Sequence, residues 1–248
     1  MLIDIHTHIL PGLDDGVQSD EEALNTAKQA LNQGITHIVA TPHVNPSIYQ
    51  YKPILIPAKV FVLQSALDEE KVAIRILPGA EYCLEPQLLL KLARGELLTI
   101  NGCGKHLLVE LPKLHLPDYA ELLLFELQLN GLTPILAHPE RNAILAQHPE
   151  KLENLVQRGI LVQITAGSLT GLFGKEVMTA SEVFVRRGMV HFIASDMHGH
   201  GKRLLAMADA KNKLKRLVGE RKANRILLDN PLLVLKGERI AERDEFVC

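Results

Sequence analysis

Tryptophan is absent from this 248-residue chain, and aromatic residues make up only 4% of it. Aliphatic side chains must therefore fill the core, and a hydrophobic content of 47% is enough to do so. The three cysteines, Cys83, Cys103 and Cys248, are odd in number and stand at no metal-ligand spacing, which argues against a disulfide framework. No apolar run approaches the ~18 residues of a membrane span. The opening MLIDIHTHIL lacks the basic region and long apolar stretch of a signal peptide. A cytoplasmic protein with no membrane insertion is the expectation. The formal charge of -2, with basic residues interspersed among acids, leaves no electrostatic footprint for a nucleic-acid partner.

Several catalytic signatures are missing as well. A cysteine-based phosphatase needs an Arg six positions after its Cys, but Leu89 follows Cys83 at that distance, Val109 follows Cys103, and Cys248 is the last residue. No GxxxxGK[ST] loop is present, no GxGxxG follows the first strand, and no GxSxG elbow occurs. The Gly102-Cys103-Gly104 segment reads as a turn.

What is present is a regular alternation. Short apolar runs at residues 2–6, 36–41, 73–81, 106–111, 133–138, 160–165 and 190–195 read as strands, too apolar to be half exposed, as in a parallel sheet covered on both faces. Between them lie segments of helical period. Ser19 can cap a helix whose first turn holds Asp20, Glu21 and Glu22, and Gly34 stops it. Residues 118–130, 150–158 and a segment from about 175 to Gly188 read the same way. Seven β-then-α units without a linker or composition break predict one α/β domain over residues 1–248, a barrel like (β/α)8 but lacking a unit. Residues 45–57, with Tyr49, Tyr51 and three prolines, read as a loop near the entrance of the site, and the last thirty residues as helix plus irregular tail.

Eleven histidines stand out, many beside Asp, Glu or Pro. The first strand ends in Asp4-Ile5-His6-Thr7-His8, the second in Thr41-Pro42-His43, the third in Glu81, the fourth in Glu110, the fifth in His138 and the seventh in Asp196-Met197-His198. In a parallel barrel these C-terminal strand ends open on one face, where active sites of such folds sit. His6 and His8, two apart on a strand, project to the same side. Imidazole and carboxylate without Cys suit Zn, Mn or Fe. The set His6, His8, Asp15, His43, Glu81, Glu110, His138, Asp196 and His198 is too large for one ion. His37, His106, His115, His148, His191 and His200 are assigned to the surface or to supporting positions. Arg141 and Arg203 start near the same rim, where a planar guanidinium suits phosphate; Arg186 and Arg187 read as helix-surface residues.

The HxH, the LDDG turn, the TPH, the GAEY, the strand-end Glu, the HPER and the SDMH together resemble the PHP (polymerase and histidinol phosphatase) superfamily, most closely its bacterial CpsB-like protein-tyrosine phosphatases of capsule and exopolysaccharide operons. The resemblance runs from residue 1 to about 225. It implies a distorted TIM-like (β/α)7 barrel holding three divalent metal ions, manganese in the first place, with zinc or iron as alternatives. By that resemblance His6, His8, Glu81 and Asp196 hold one ion, Glu81, Glu110 and His138 a second, and Asp15, His43 and His198 a third, with Asp14 as the neighbour of Asp15. Arg141 and Arg203 match the phosphate-contacting arginines. Gly199 and His200 depart from what relatives often carry after the DxH. The implied reaction is hydrolysis of protein phosphotyrosine by in-line attack of water, and the implied partner is the tyrosine-phosphorylated tail of a bacterial kinase. A small-molecule phosphoesterase such as a histidinol-phosphate phosphatase is the alternative, and a catalytically dead metal-binding regulator a third reading.

Overall fold

The computed structural model describes residues 1–45 and 47–240. Among the described residues there are nine short strands: β1 (Leu2–Thr7), β2 (Ile35–Ala40), β3 (His43–Val44), β4 (Arg75–Pro78), β5 (Glu81–Cys83), β6 (His106–Glu110), β7 (Thr133–Ala137), β8 (Leu161–Thr165) and β9 (Phe192–Ala194). The helices are α1 (Asp20–Asn32), α2 (Ile56–Glu69), α3 (Gln87–Ala93), α4 (Ala120–Leu129), α5 (Ala143–Gln147), α6 (Pro149–Gln157), α7 (Ala166–Thr170), α8 (Lys175–Arg186), α9 (Lys202–Asn224) and α10 (Asn230–Leu235). All strand pairings are parallel, in the orders β1-β2-β4 and β3-β5-β6-β7-β8-β9.

The two sheets are one barrel wall with two breaks. The chain between β2 and β3 passes through Pro42, which has no N–H to give to a ladder. The chain between β4 and β5 passes through Gly79, where a Cβ would stand 2.8 Å from the Val39 side chain. Both breaks skip the same number of residues, so Ala40 pairs with Pro78 before them and His43 with Glu81 after them. The expected strand at 73–81 is therefore two strands, and β3 was not anticipated. At the other seam the Asp196 N–H donates to the His6 carbonyl (3.0 Å), the His8 N–H donates to Met197 (2.9 Å), and Thr7 bridges Met197 in parallel. Seven staves thus surround the axis, the distorted TIM-like barrel expected.

The helices form as their sequences dictate. Ser19 accepts the Glu22 N–H at 3.2 Å, with three acids in the first turn of α1, where the macrodipole favours negative charge. Ile3, Ile5, Leu108, Ile135 and Phe192 pack together inside the barrel, and Val234 and Leu235 of α10 join them. The C-terminal region continues as helix through a π-turn (Arg225–Asp229) into α10, which covers this apolar cluster. The tail beyond residue 240, with Cys248, lies outside the described residues. His106, expected at the surface or in support of the site, is instead 2% exposed at the start of β6. Among the described residues no helix is long and apolar enough to cross a membrane.

Candidate metal-dependent active site

The C-terminal ends of the strands bring the nine histidine and carboxylate residues into one connected cluster. Glu81 lies at its centre. One of its oxygens is 3.0 Å from His6 Nε2, 3.1 Å from His43 Nδ1 and 3.4 Å from His8 Nε2, and the other is 3.1 Å from His138 Nε2. Asp196 Oδ1 stands 3.2 Å from His8 Nε2 and 3.5 Å from His6 Nε2. Glu110 approaches His43 at 3.5 Å and His138 at 3.9 Å. Asp15 reaches in from the turn after β1, 3.4 Å from His198 Nε2 and 3.9 Å from His43 Nε2.

Two backbone strains shape this cluster. His138 and Asp196 have positive φ, 33° and 51°, a region that non-glycine residues rarely occupy and that concentrates at functional sites. Each follows the last residue of its strand closely, so the left-handed turn swings the side chain off the ladder and over the barrel mouth. Gly16 supplies a third special geometry. A Cβ there would lie 2.2 Å from the His8 carbonyl oxygen, so only glycine lets the LDDG turn fold back onto His8.

Residues outside the nine candidate ligands hold the cluster in place. Asp14 accepts from His8 Nδ1 at 2.6 Å and also takes the His43 N–H (2.8 Å) and the Gly16 N–H (3.0 Å). Gln163, on β8, places its side-chain oxygen 2.8 Å from His6 Nδ1. β8 was the one stave with no His or acid at its end, and this amide, the lone Gln in an apolar run, was the available signal. Cys83 donates its thiol to Glu110 at 3.3 Å, and burial pushes that thiol up to about 12, helped by the Glu110 charge. Tyr49 stacks parallel to His43, with ring centroids 6.1 Å apart, and the Tyr51 hydroxyl donates to the His43 carbonyl. The 45–57 loop therefore does border the site, although its last turn already leads into α2. Among the histidines set aside, His200 is exposed.

The donor set fits divalent cations. With the Nδ1 protons of His6 and His8 committed to Gln163 and Asp14, both Nε2 atoms carry lone pairs, and these face each other at 3.2 Å. Two carboxylate oxygens point at the same spot. Such convergence repels unless positive charge lies between. The same tension appears in proton affinities. Burial disfavours charge on His8, yet hydrogen bonds to Asp14, Asp196 and Glu81 outweigh it and hold the imidazole well above its ordinary range. Burial likewise works against charge on Glu81 and Asp196, but the surrounding imidazoles, His6 foremost, hold both carboxyls well below theirs. Among the described residues, three groups have ligand atoms within 4.8 Å of one another: His6, His8 and Glu81; His43, Glu81 and Glu110; and His8, Asp15, His43 and His198. His138 also stands beside Glu81 and Glu110, at 3.1 and 3.9 Å.

Arg141 and Arg203 stand at the rim. Their Nη1 atoms reach the same Asp196 Oδ2 at 2.7 and 3.1 Å, and Arg203 also donates to the Asp196 carbonyl at 2.8 Å. Arg187, by contrast, pairs with Glu153 on the outer surface. A parallel TIM-like barrel with a histidine–carboxylate donor cluster and two arginines at its mouth defines a metal-dependent hydrolase.

Comparison narrows this further. Residues 2–236 match the family described as capsular polysaccharide synthesis, CpsB/CapC, and the chain belongs to that family. It is 37% identical over 239 residues to the tyrosine-protein phosphatase YwqE of Bacillus subtilis, covering 96% of this chain and 93% of that protein. It is 36% identical to the putative tyrosine-protein phosphatase CapC of Staphylococcus aureus, covering 98% and 94%. Among solved structures it superposes with a TM-score of 0.92 and 36% identity, over 98% of this chain and 97% of the other, on one from a study of YwqE and of CpsB from Streptococcus pneumoniae described as unique metal-dependent tyrosine phosphatases. A histidinol phosphate phosphatase from Lactococcus lactis, solved with zinc, L-histidinol and phosphate, shares the fold at a TM-score of 0.59 and 13% identity.

Proposed function

We propose that this chain is a metal-dependent protein-tyrosine phosphatase of capsular or exopolysaccharide synthesis, acting in the cytoplasm on the phosphorylated tail of a bacterial tyrosine kinase, with residues 1–248 as one domain. The observation that carries the reading is a pair of guanidinium groups, Arg141 and Arg203, meeting at the edge of converging imidazole and carboxylate lone pairs. The residues that would hold three divalent ions, manganese first among them, are His6, His8, Asp15, His43, Glu81, Glu110, His138, Asp196 and His198.

Divalent ions supply the acidity that makes water a nucleophile at neutral pH and draw charge from phosphoryl oxygens. The chain's own residues do the rest. Gln163 and Asp14 fix the tautomers of His6 and His8, so that Nε2 of each is the free donor atom. Arg141 and Arg203 bind the phosphoryl group and offset the charge that spreads over its oxygens during in-line displacement. Protonation of the leaving group matters less than for alkyl esters, since a phenol leaves with a pKa of about 10.

The test is hydrolysis of a phosphotyrosine peptide against histidinol phosphate, with chelator and with added manganese, in the wild type and in a Cys83→Ser, Cys103→Ser variant. Cysteine replacement is preferred to alkylation because a bulky group on Cys83 would press on Glu110. Chelator should abolish peptide hydrolysis, manganese should restore it, and the variant should keep it. Activity that survives chelator but not cysteine replacement would overturn the mechanism. Preference for histidinol phosphate would move the substrate to the small-molecule class.

A further inference from the structure

The two rim arginines raise a physical difficulty. Like charges repel, yet both guanidinium groups converge on one carboxylate oxygen. Asp196 alone does not account for this, since it also faces the imidazoles of His6 and His8. The structure offers a second anchor. The Phe173 ring, half-buried in the turn after α7, has the Arg141 guanidinium carbon 4.7 Å from its centroid and that of Arg203 5.5 Å away. Both lie within the ~6 Å over which a cation is attracted to an aromatic face. The ring packs closely on α7: Gly167 is buried, and a Cβ on it would stand 2.9 Å from Phe173 Cε2. We propose that Phe173 is a positioning residue that seats Arg141 and Arg203 side by side as one phosphate-binding unit.

The inference rests on the reading that these arginines bind phosphate. A ring does for them what an aliphatic side chain of similar volume cannot. Its negative face attracts both cations without adding a formal charge, so their positive charge stays available to an incoming phosphoryl group. Phe173 touches the reaction only through the two arginines.

The experiment compares Phe173→Leu, Phe173→Tyr and Gly167→Ala with the wild type, and with Arg141→Ala and Arg203→Ala. The readouts are KM and kcat on a phosphotyrosine peptide, inhibition by inorganic phosphate, manganese stoichiometry and the melting temperature. Phe173→Leu should weaken phosphate inhibition and raise KM by about 5- to 30-fold, the range that cation–π contacts between exposed and desolvated span. Metal stoichiometry should stay at the wild-type value. Phe173→Tyr, which keeps the aromatic face, should stay near the wild type. Gly167→Ala, which displaces the ring without removing it, should resemble Phe173→Leu. The proposal is overturned if Leu performs as well as Tyr at position 173, or if Phe173→Leu loses metal in step with activity. If Phe173→Leu does not fold, the comparison of Gly167→Ala with Phe173→Tyr decides by the same criteria. Should both arginine variants bind phosphate as the wild type does, the underlying reading fails rather than the role of the ring.

Discussion

Two adjacent acids, Asp14 and Asp15, offer a sharp test because the fold gives them opposite surroundings. Asp14 is 7% exposed and accepts three hydrogen bonds, from His8 Nδ1, the His43 N–H and the Gly16 N–H. The Asp15 side chain is 59% exposed and faces His43 and His198 at 3.9 and 3.4 Å. Asp14→Ala strands these donors, and each unsatisfied buried group costs about 1–3 kcal/mol. Allowing for water reaching the partly buried His43 N–H, the total is on the order of 3–5 kcal/mol. At roughly 2–4 °C per kcal/mol for a chain of this size, the melting temperature of Asp14→Ala should fall by about 6–20 °C. His8 also loses the partner that fixes its tautomer, which should weaken metal binding by roughly 10- to 100-fold. Asp15→Ala orphans no buried donor, so its melting temperature in the presence of chelator should stay within about 2 °C of the wild type, while metal content falls at one position. The assay is a thermal melt with and without manganese, together with metal stoichiometry by elemental analysis. Equal melting temperatures for the two variants, or full metal content in Asp14→Ala, would refute the assignment of Asp14 as the support and Asp15 as the donor.

Other outcomes follow from the same contacts. Gln163→Leu removes the acceptor of His6 Nδ1 and should lower metal affinity by about 10- to 100-fold, measured by titration with manganese. Gly16→Ala must displace the turn from the His8 carbonyl, which its Cβ would approach at 2.2 Å; the expected result is loss of bound metal with a lowered melting temperature, and a normal melt would show that the turn has room. His106 is held down to about 4 by burial and, secondarily, by Lys105. It is neutral in the folded protein and free to protonate when unfolded, so its contribution is complete above pH ~6.5 and is lost as pH falls toward 4. Near pH 4 the loss should amount to about 3 kcal/mol, and denaturant titrations of His106→Gln between pH 7 and 4 should be flatter by that amount.

The parts of this protein written in local sequence are those whose physics is local. Strand ends were legible because a run of buried β-branched and aliphatic residues stops where His or an acid begins, and parallel strands put all such ends on one face. The Ser19 cap with its acidic first turn needs only the next three residues. The break in the wall was half legible: Pro42 and Gly79 are conspicuous letters, but that the two breaks they mark fall opposite each other, so that Glu81 pairs with His43, depends on the register of two strands.

The amino-acid sequence by itself determined which side chains meet, because direction along a parallel strand and alternation across it are properties of the chain's own geometry. Tertiary structure alone decided which residues support them. Gln163 reaches His6 across 157 positions, and Phe173 reaches arginines from two other segments. His138 and Asp196 take up left-handed turns that their residue types disfavour. The Gln163–His6 contact depends on closing the barrel between β9 and β1, and no short-range preference encodes a contact that exists only once the two ends of the wall have met.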